Sequence, residues 1–437
     1  MGMVATDPPK PRDPMSMLRL RQAAPALLIA VALLTLSACG VSEYPNSTFN
    51  HNTDFNTAID DLFDRLLFWG TIVFVVVEAA LIYTIFRFRK RPGGPAPKQI
   101  HGNIALEITW TAIPAVILVL IAIPTVKTIF QTQAPAPVGA LTVEVTGHQW
   151  WWEFHYPEFG FSTANEIYVP LGRTTNFVLK TKDVLHSFWI PQMGGKRDLI
   201  TNKTNYLWFT PNADLGTSAW NGFCTEYCGA SHANMKFRLF TVSPDEFESW
   251  AKHQATVAIP HRAPATDSAA SGTPVRVASN RGAAVTDSLP AAPQSEIGYV
   301  FPAADLPDHV IPKTPIPAGL NFDDATLAGG DAKRGETSFM MGGCIGCHAI
   351  NGNPMALSPI GPNLTHFATR HTLGGGLFPN DAPTLARWIK NAKKMKPGAL
   401  MNTIGIGEYD PILKGPVTGG LTDAQIADVV AYLRSLK

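Results

Sequence analysis

Cys224-Thr-Glu226-Tyr-Cys228-Gly-Ala-Ser-His232-Ala-Asn-Met235 puts two thiols, an imidazole and a thioether within twelve residues. Thiolate, imidazole and a weak thioether form the donor set that copper takes in electron-transfer sites. A mononuclear site of that kind needs one cysteine, and this stretch has two. Two bridging thiolates can hold a pair of copper ions that share one electron, which spreads the change in charge and lowers the reorganisation it causes. His186, in Asp183-Val-Leu-His186-Ser187, offers a second imidazole from a separate strand. A disulfide between Cys224 and Cys228 would suit an oxidising compartment, but it gives His232 and Met235 no task. A copper-delivery protein also pairs cysteines with a distant histidine, without needing Met235.

The segments around this cluster alternate apolar and polar residues. Leu141-Thr-Val-Glu-Val, Glu166-Ile-Tyr-Val, Thr175-Asn-Phe-Val-Leu and Lys236-Phe-Arg-Leu-Phe-Thr-Val are short runs of period two, separated by Pro, Gly and Asn. That pattern predicts a β-sandwich or small barrel. From about residue 255 to 320 the chain is rich in Ala, Pro, Ser, Thr and Gly without sustained periodicity, a composition that reads as a flexible linker. The remainder reads as helical. Thr422 and Gln425 make a capping box, followed by an apolar stripe at Ile426, Val429, Val430 and Leu433. A second helix is expected over 383–394, with Leu385, Trp388 and Ile389 on one face.

This last part contains Cys344-Ile-Gly-Cys347-His348, a haem attachment site. The spacing lets both thiols bond the vinyl carbons of one haem while His348 reaches the iron. A zinc site would need a second ligand pair, and no further cysteine follows Cys347. Met401, after the turn Lys396-Pro-Gly-Ala-Leu, is the candidate sixth ligand, with Met395 as the alternative. Histidine and methionine together give a high-potential haem suited to passing electrons. Gly361-Pro-Asn-Leu364 is placed on the proximal side.

Upstream, the sequence reads as an exported membrane segment. Arg19 and Arg21 precede an apolar stretch over 23–36, too short to span a bilayer, ending in Leu36-Ser-Ala-Cys39-Gly. Small residues before a cysteine resemble a lipobox; a plain signal cleaved near Ala38 is the alternative. Residues 66–86 contain one charge, Glu78, and with 108–130 are each long enough to cross the hydrocarbon. Arg87, Arg89, Lys90, Arg91 and Lys98 lie between them and belong on the cytoplasmic side. The chain after residue 131 is therefore external. A carboxylate in mid-span faces protein or water, so the hairpin is expected to pack against another membrane protein.

The totals agree. Hydrophobic residues make up 46% of the 437 and charged residues 16%, a balance tilted toward membrane contact. A net charge of +1 argues against a nucleic-acid partner.

At the hairpin, Gly147-His-Gln-Trp150, Asp183-Val-Leu-His186-Ser187 and the 224–235 run, the chain resembles subunit II of haem–copper respiratory oxidases. The linker and the Cys344 domain resemble the cytochrome caa branch, in which a cytochrome c is fused to that subunit. The resemblance covers nearly all of the chain after Cys39. It implies a multidomain architecture: signal peptide (1–38, lipoprotein type), external segment (39–61), two-helix transmembrane hairpin (62–131), all-β cupredoxin-like domain (138–252), linker (253–325) and all-α class I cytochrome c domain (326–437). It implies a binuclear copper centre held by His186, Cys224, Cys228, His232, Met235 and the backbone carbonyl of Glu226. The side chain of that glutamate would also reach a magnesium site at the boundary with subunit I. Trp150 matches the tryptophan that accepts electrons from cytochrome c, and Glu107 matches a carboxylate at the cytoplasmic mouth of a proton path. One departure is Thr201-Asn-Lys203, where the family usually has Pro-Gly-Arg.

The expected function is an electron wire in a bacterial inner membrane, with copper and haem on the outer face. A cytochrome c or a quinol-oxidising complex would reduce the haem, the copper pair would follow, and subunit I would reduce oxygen. The linker would let the haem domain swing as a tethered donor. A nitric oxide reductase subunit or a copper-handling assembly lipoprotein are the alternatives.

Overall fold

The structure, a computed structural model, describes residues 44, 46–90, 92–94, 99, 102–258 and 298–437. The signal peptide, Cys39 and linker residues 259–297 lie outside the described residues.

Two long helices come first, α1 (Asp54–Arg87) and α2 (Ile104–Gln133). Both run past the apolar stretches expected to span, because polar residues cap them further out. Thr53 accepts from Asn56 N, and Asn103 accepts from Leu106 N. At 34 residues α1 is about 51 Å long, well over the hydrocarbon thickness. Its extra length serves as an anchor. Phe55 enters the core of the following domain, Thr53 Oγ1 donates to Met193 O (2.5 Å), and Asp54 Oδ1 accepts from Thr210 N (2.8 Å). Pro114 and Pro124 are carried within α2. The lateral faces stay bare: Phe68, Phe74, Ile123 and Phe130 are each more than half exposed. Such a surface is stable only against lipid or other membrane helices.

The β-domain is a sandwich of two five-stranded sheets, ordered β3-β2-β1-β5-β8 and β4-β10-β9-β6-β7. The strands are β1 (Leu141–His148), β2 (Trp151–Tyr156), β3 (Phe161–Ala164), β4 (Glu166–Pro170), β5 (Thr175–Thr181), β6 (His186–Trp189), β7 (Arg197–Leu199), β8 (Asn205–Phe209), β9 (Ser218–Cys224) and β10 (Lys236–Val242). β1 pairs in parallel with β5, and β10 with β4; the other ladders are antiparallel. The alternation seen in sequence becomes an aromatic core of Trp152, Phe154, Phe177, Phe188 and Phe237. The departing loop 201–203 closes as a turn with Asn202 at φ 60°. Asn tolerates that left-handed conformation better than other residues with a Cβ, so it can stand where the family has glycine.

Helix α3 (Pro244–Gln254), with a Ser243/Glu246 capping box, closes the domain. The linker expected over 253–325 is shorter than composition suggested. Phe301 and Val310 are buried in the sandwich core, and Leu320 and Phe322 in the next core. Four isolated apolar anchors in a Pro-rich strap carry no periodicity, so composition alone missed them.

The C-terminal domain packs α4 (Asp324–Ala328), α5 (Ala332–Met341), α6 (Ala382–Lys390), α7 (Ala392–Met395) and α8 (Asp423–Ser435) around one core. The capping box and stripe of α8 are present as expected. The single helix expected over 383–394 is two, because Asn391 leaves helical geometry and caps α7 by accepting from Lys394 N (3.0 Å).

This domain is docked on the sandwich, against the expectation that it swings. Buried Glu166 accepts at Oε1 from His371 N (2.9 Å), Thr372 N (2.7 Å) and Thr372 Oγ1 (2.9 Å). Arg238 donates to Gly376 O (3.0 Å) and to the strap at Val310 O (2.9 Å), and Lys236 N donates to Gly375 O (3.1 Å). A carboxylate out of water needs such partners, and here the second domain supplies them.

If the strap is part of the fold, Phe301→Ala, which also loses contact with Phe240 (ring centroids 5.1 Å), should destabilise the sandwich by about 3–5 kcal/mol. Calorimetry of the full chain would read this; a change under about 0.5 kcal/mol would mean the strap is unpacked.

Candidate copper centre and haem site

The copper-type cluster hangs between two strands that pair with each other. β9 ends at Cys224 and β10 begins at Lys236, and the loop between them is closed by Cys224 N donating to Met235 O (3.0 Å). Inside the loop, Cys228 Sγ lies 3.8 Å from Cys224 Sγ, 3.5 Å from His232 Nδ1 and 3.8 Å from Met235 Sδ. The two sulfurs are free thiols, at nearly twice the length of a disulfide bond. From the neighbouring strand β6, His186 Nδ1 comes to 3.8 Å from Cys224 Sγ, and within the loop Glu226 O lies 3.3 Å from the same sulfur. The His186, Cys224 and Cys228 donor atoms all fall within 4.8 Å of one another, buried. All six residues named from sequence are therefore brought together, with Glu226 contributing its carbonyl while its side chain is exposed.

The electrostatics prepare the thiols for a cation. A hydrogen bond with Cys228, assisted by His186, holds the Cys224 thiol well below its ordinary value, and the neighbouring Cys224 sulfur in turn pushes Cys228 up. Burial opposes charge on His186, yet its bonds to Cys224 and Asp183 raise its pKa overall. The pair thus keeps one proton that metal must displace.

Two supporting features escaped the sequence reading. Asp183 Oδ1 meets His186 Nε2 at 2.8 Å, leaving Nδ1 for a metal; its place three residues before the histidine was the available signal. Gly147 lies against the same ring: a Cβ there would sit 2.6 Å from His186 Cδ2.

The second site is a cavity of about 320 Å³ whose lining includes Cys344, Cys347, His348, Trp388 and Met401. Cys344 opens a short 3-10 turn (Cys344–Gly346). His348 Nδ1 is 2.8 Å from Pro362 O, a bond that holds the ring and leaves Nε2 for iron. Burial lowers the pKa of His348, favouring the neutral ligand form. Met401 lines the cavity, whereas Met395 is buried in the domain core. The paired thiols, the oriented imidazole and a thioether residue in the same lining suit a covalently held haem.

Trp150 stands between the two sites. It lines the cavity, and its Nε1 donates to Cys228 O (2.9 Å), which Gln149 Nε2 also reaches (2.8 Å). Glu107 is remote from both, exposed in the first turn of α2.

Comparison with known proteins follows the same divisions. Residues 50–128 match the transmembrane domain of cytochrome c oxidase subunit II, residues 160–242 its periplasmic domain, and residues 332–437 cytochrome c. Cytochrome c oxidase subunit 2 of Alkalihalophilus pseudofirmus is 32% identical over 372 residues, covering 84% of this chain and 83% of that protein. The Bacillus subtilis subunit 2 is 29% identical over 430 residues, covering 94% and 97%. A crystal structure of the periplasmic domain of cytochrome oxidase subunit II from Bradyrhizobium japonicum is 31% identical, covers 28% of this chain and 96% of that one, and has a TM-score of 0.26.

Replacing Asp183 with Ala should weaken copper retention by about 10–100-fold while leaving the sandwich folded. Competition with a copper chelator, alongside circular dichroism, checks this; unchanged retention would remove Asp183 from the site.

Proposed function

The chain belongs to the cytochrome c oxidase subunit II family, and from that premise we propose the route its electrons take. As a subunit of the oxidase, with a CuA-type site and a fused cytochrome c domain, it transfers electrons to the oxygen-reducing catalytic subunit. Cys344, Cys347, His348 and Met401 would hold a haem able to take an electron from an external reduced donor, a cytochrome c or a quinol-oxidising complex. His186, Cys224, Glu226 O, Cys228, His232 and Met235 would hold the copper pair that receives it, with Trp150 as the bridge between the two sites and subunit I as the destination. The observation that carries this route is Trp150 itself: one indole lines the haem cavity and hydrogen-bonds the carbonyl of a copper-ligating residue.

The protein's own part is to hold and orient. Copper supplies a one-electron carrier with low reorganisation, and haem c supplies another at high potential. Asp183 and Gly147 aim His186, Pro362 aims His348, and the sandwich keeps water from Cys224 and Cys228. None of these residues needs to move for an electron to pass. Glu226 is exposed, and we assign its carboxylate to a magnesium ion shared with subunit I. Glu107 is assigned to the cytoplasmic mouth of a proton path, the end of α2 farthest from the copper domain. We assign the copper and haem domains to the outer face of a bacterial inner membrane, a reading supported by the two spans and the basic residues between them.

The test is gas uptake by the complex purified through a tag after Lys437. With a reduced donor it should consume oxygen. Cys228→Ser should abolish that uptake while the haem remains reducible. Uptake of nitric oxide in place of oxygen would reassign the catalytic partner. Failure of any large subunit to co-purify would point to the assembly-lipoprotein reading.

A further inference from the structure

Lys396 is an anomaly in the haem domain. The residue is 4% exposed, and burial pushes its pKa down to about 7. Among the described residues no carboxylate pairs with it. Its Nζ donates instead to two backbone carbonyls, Gly374 O (3.1 Å) in its own domain and Trp150 O (2.6 Å) across the domain boundary. Burying an ammonium group is unfavourable unless hydrogen bonds replace its water. An apolar side chain would fill the same space without that penalty, so what lysine adds is a directional tie to one atom.

The tied atom matters because of its neighbours. Trp150 donates from its ring to Cys228 O, and its six-membered edge packs on Gly398: a Cβ there would lie 3.0 Å from Trp150 Cζ3. Lys396 and Gly398 belong to the loop that ends at Met401 on the haem cavity. One short loop therefore carries the assigned iron ligand, a backbone seat for the indole, and the lysine that grips the tryptophan's own carbonyl. Gly398 at φ 91° allows the close approach.

We propose that Lys396 is a positioning residue for the internal electron step, fixing the 396–401 loop on Trp150 so that haem and copper exchange electrons in one docked geometry. This rests on the route given above. The step it serves moves one electron and no atoms: the iron goes from ferrous to ferric as the copper pair gains that electron. Glu166 and Arg238 hold the same interface through Thr372 and Gly376, so docking does not depend on Lys396 alone. The lysine sets the register at the point where the electron crosses.

The experiment uses the full-length chain in its oxidase complex, comparing wild type, Lys396→Met and Lys396→Arg. Two readouts are taken. Amide hydrogen exchange is followed at Lys236 and Thr372, whose N–H groups bond across the interface. Rapid mixing with reduced donor is followed at the haem and copper absorption bands. In Lys396→Met, interface exchange should rise about tenfold, as expected for losing one charge-assisted bond. The haem-to-copper rate should fall by about tenfold or more, with the donor-to-haem rate and the spectrum of the methionine-ligated haem unchanged. Lys396→Arg should recover part of both. Faster exchange with an unchanged haem-to-copper rate would overturn the proposal, leaving Lys396 as an interface contact only; no change in either readout would overturn it as well. If the wild-type haem is reduced but no electron reaches copper, the route itself falls and the role of Lys396 with it.

Discussion

The hydrogen bond from Cys224 N to Met235 O closes the loop on which the rest of this protein depends. It continues the β9–β10 ladder at the point where the chain leaves it, so the two ends of the ligand loop are held by a sheet and not by the metal. Five donors of the cluster lie in or at the ends of that loop, and the sixth, His186, lies on β6, the next strand in the same sheet. The donors of the cluster are therefore brought together by strand pairing. That is what an electron carrier requires, since a site that rearranges with redox state adds reorganisation energy to every transfer.

Outward from this loop, each connection does two tasks. The antiparallel turn between β1 and β2 supplies Gln149 and Trp150, both bonded to Cys228 O, so the wall of the copper site is also the floor of the haem cavity. On the membrane side, α1 is longer than a bilayer needs because its first turn is part of the sandwich core through Phe55. The membrane hairpin and the copper domain are thereby one mechanical unit, with the copper site at a set height above the lipid. The bare flanks of α1 and α2 leave room for the catalytic subunit.

The fused domain changes the character of that unit. A tethered cytochrome would gain effective concentration from its linker alone. Here the strap 298–322 is itself packed, first into one core and then into the other, and the buried Glu166 takes its hydrogen bonds from the second domain. Docking is consequently part of folding. The haem site is thereby a fixed station beside the copper site.

How much of this was legible in the sequence follows from what each signal measures. Ligand chemistry is local: two cysteines, a histidine and a methionine within one loop, or Cys344-Ile-Gly-Cys347-His348, announce themselves by identity and spacing. So do the spans, because transfer of about 20 apolar residues into lipid is a property of composition, and the sandwich, because strands alternate. The split at Asn391, the packed strap and the domain interface were not legible, since each rests on contacts between residues far apart in the chain. Phe301 looks like any apolar residue in a Pro-rich segment, and Glu166 and Lys396 look like solvated charges. The sequence by itself determined which cofactors this chain can hold and that it crosses a membrane, because those depend on residue type and run length. The tertiary structure alone decided that the two cofactor sites meet at Trp150, because the free energy of burying a charge depends on which distant atoms surround it.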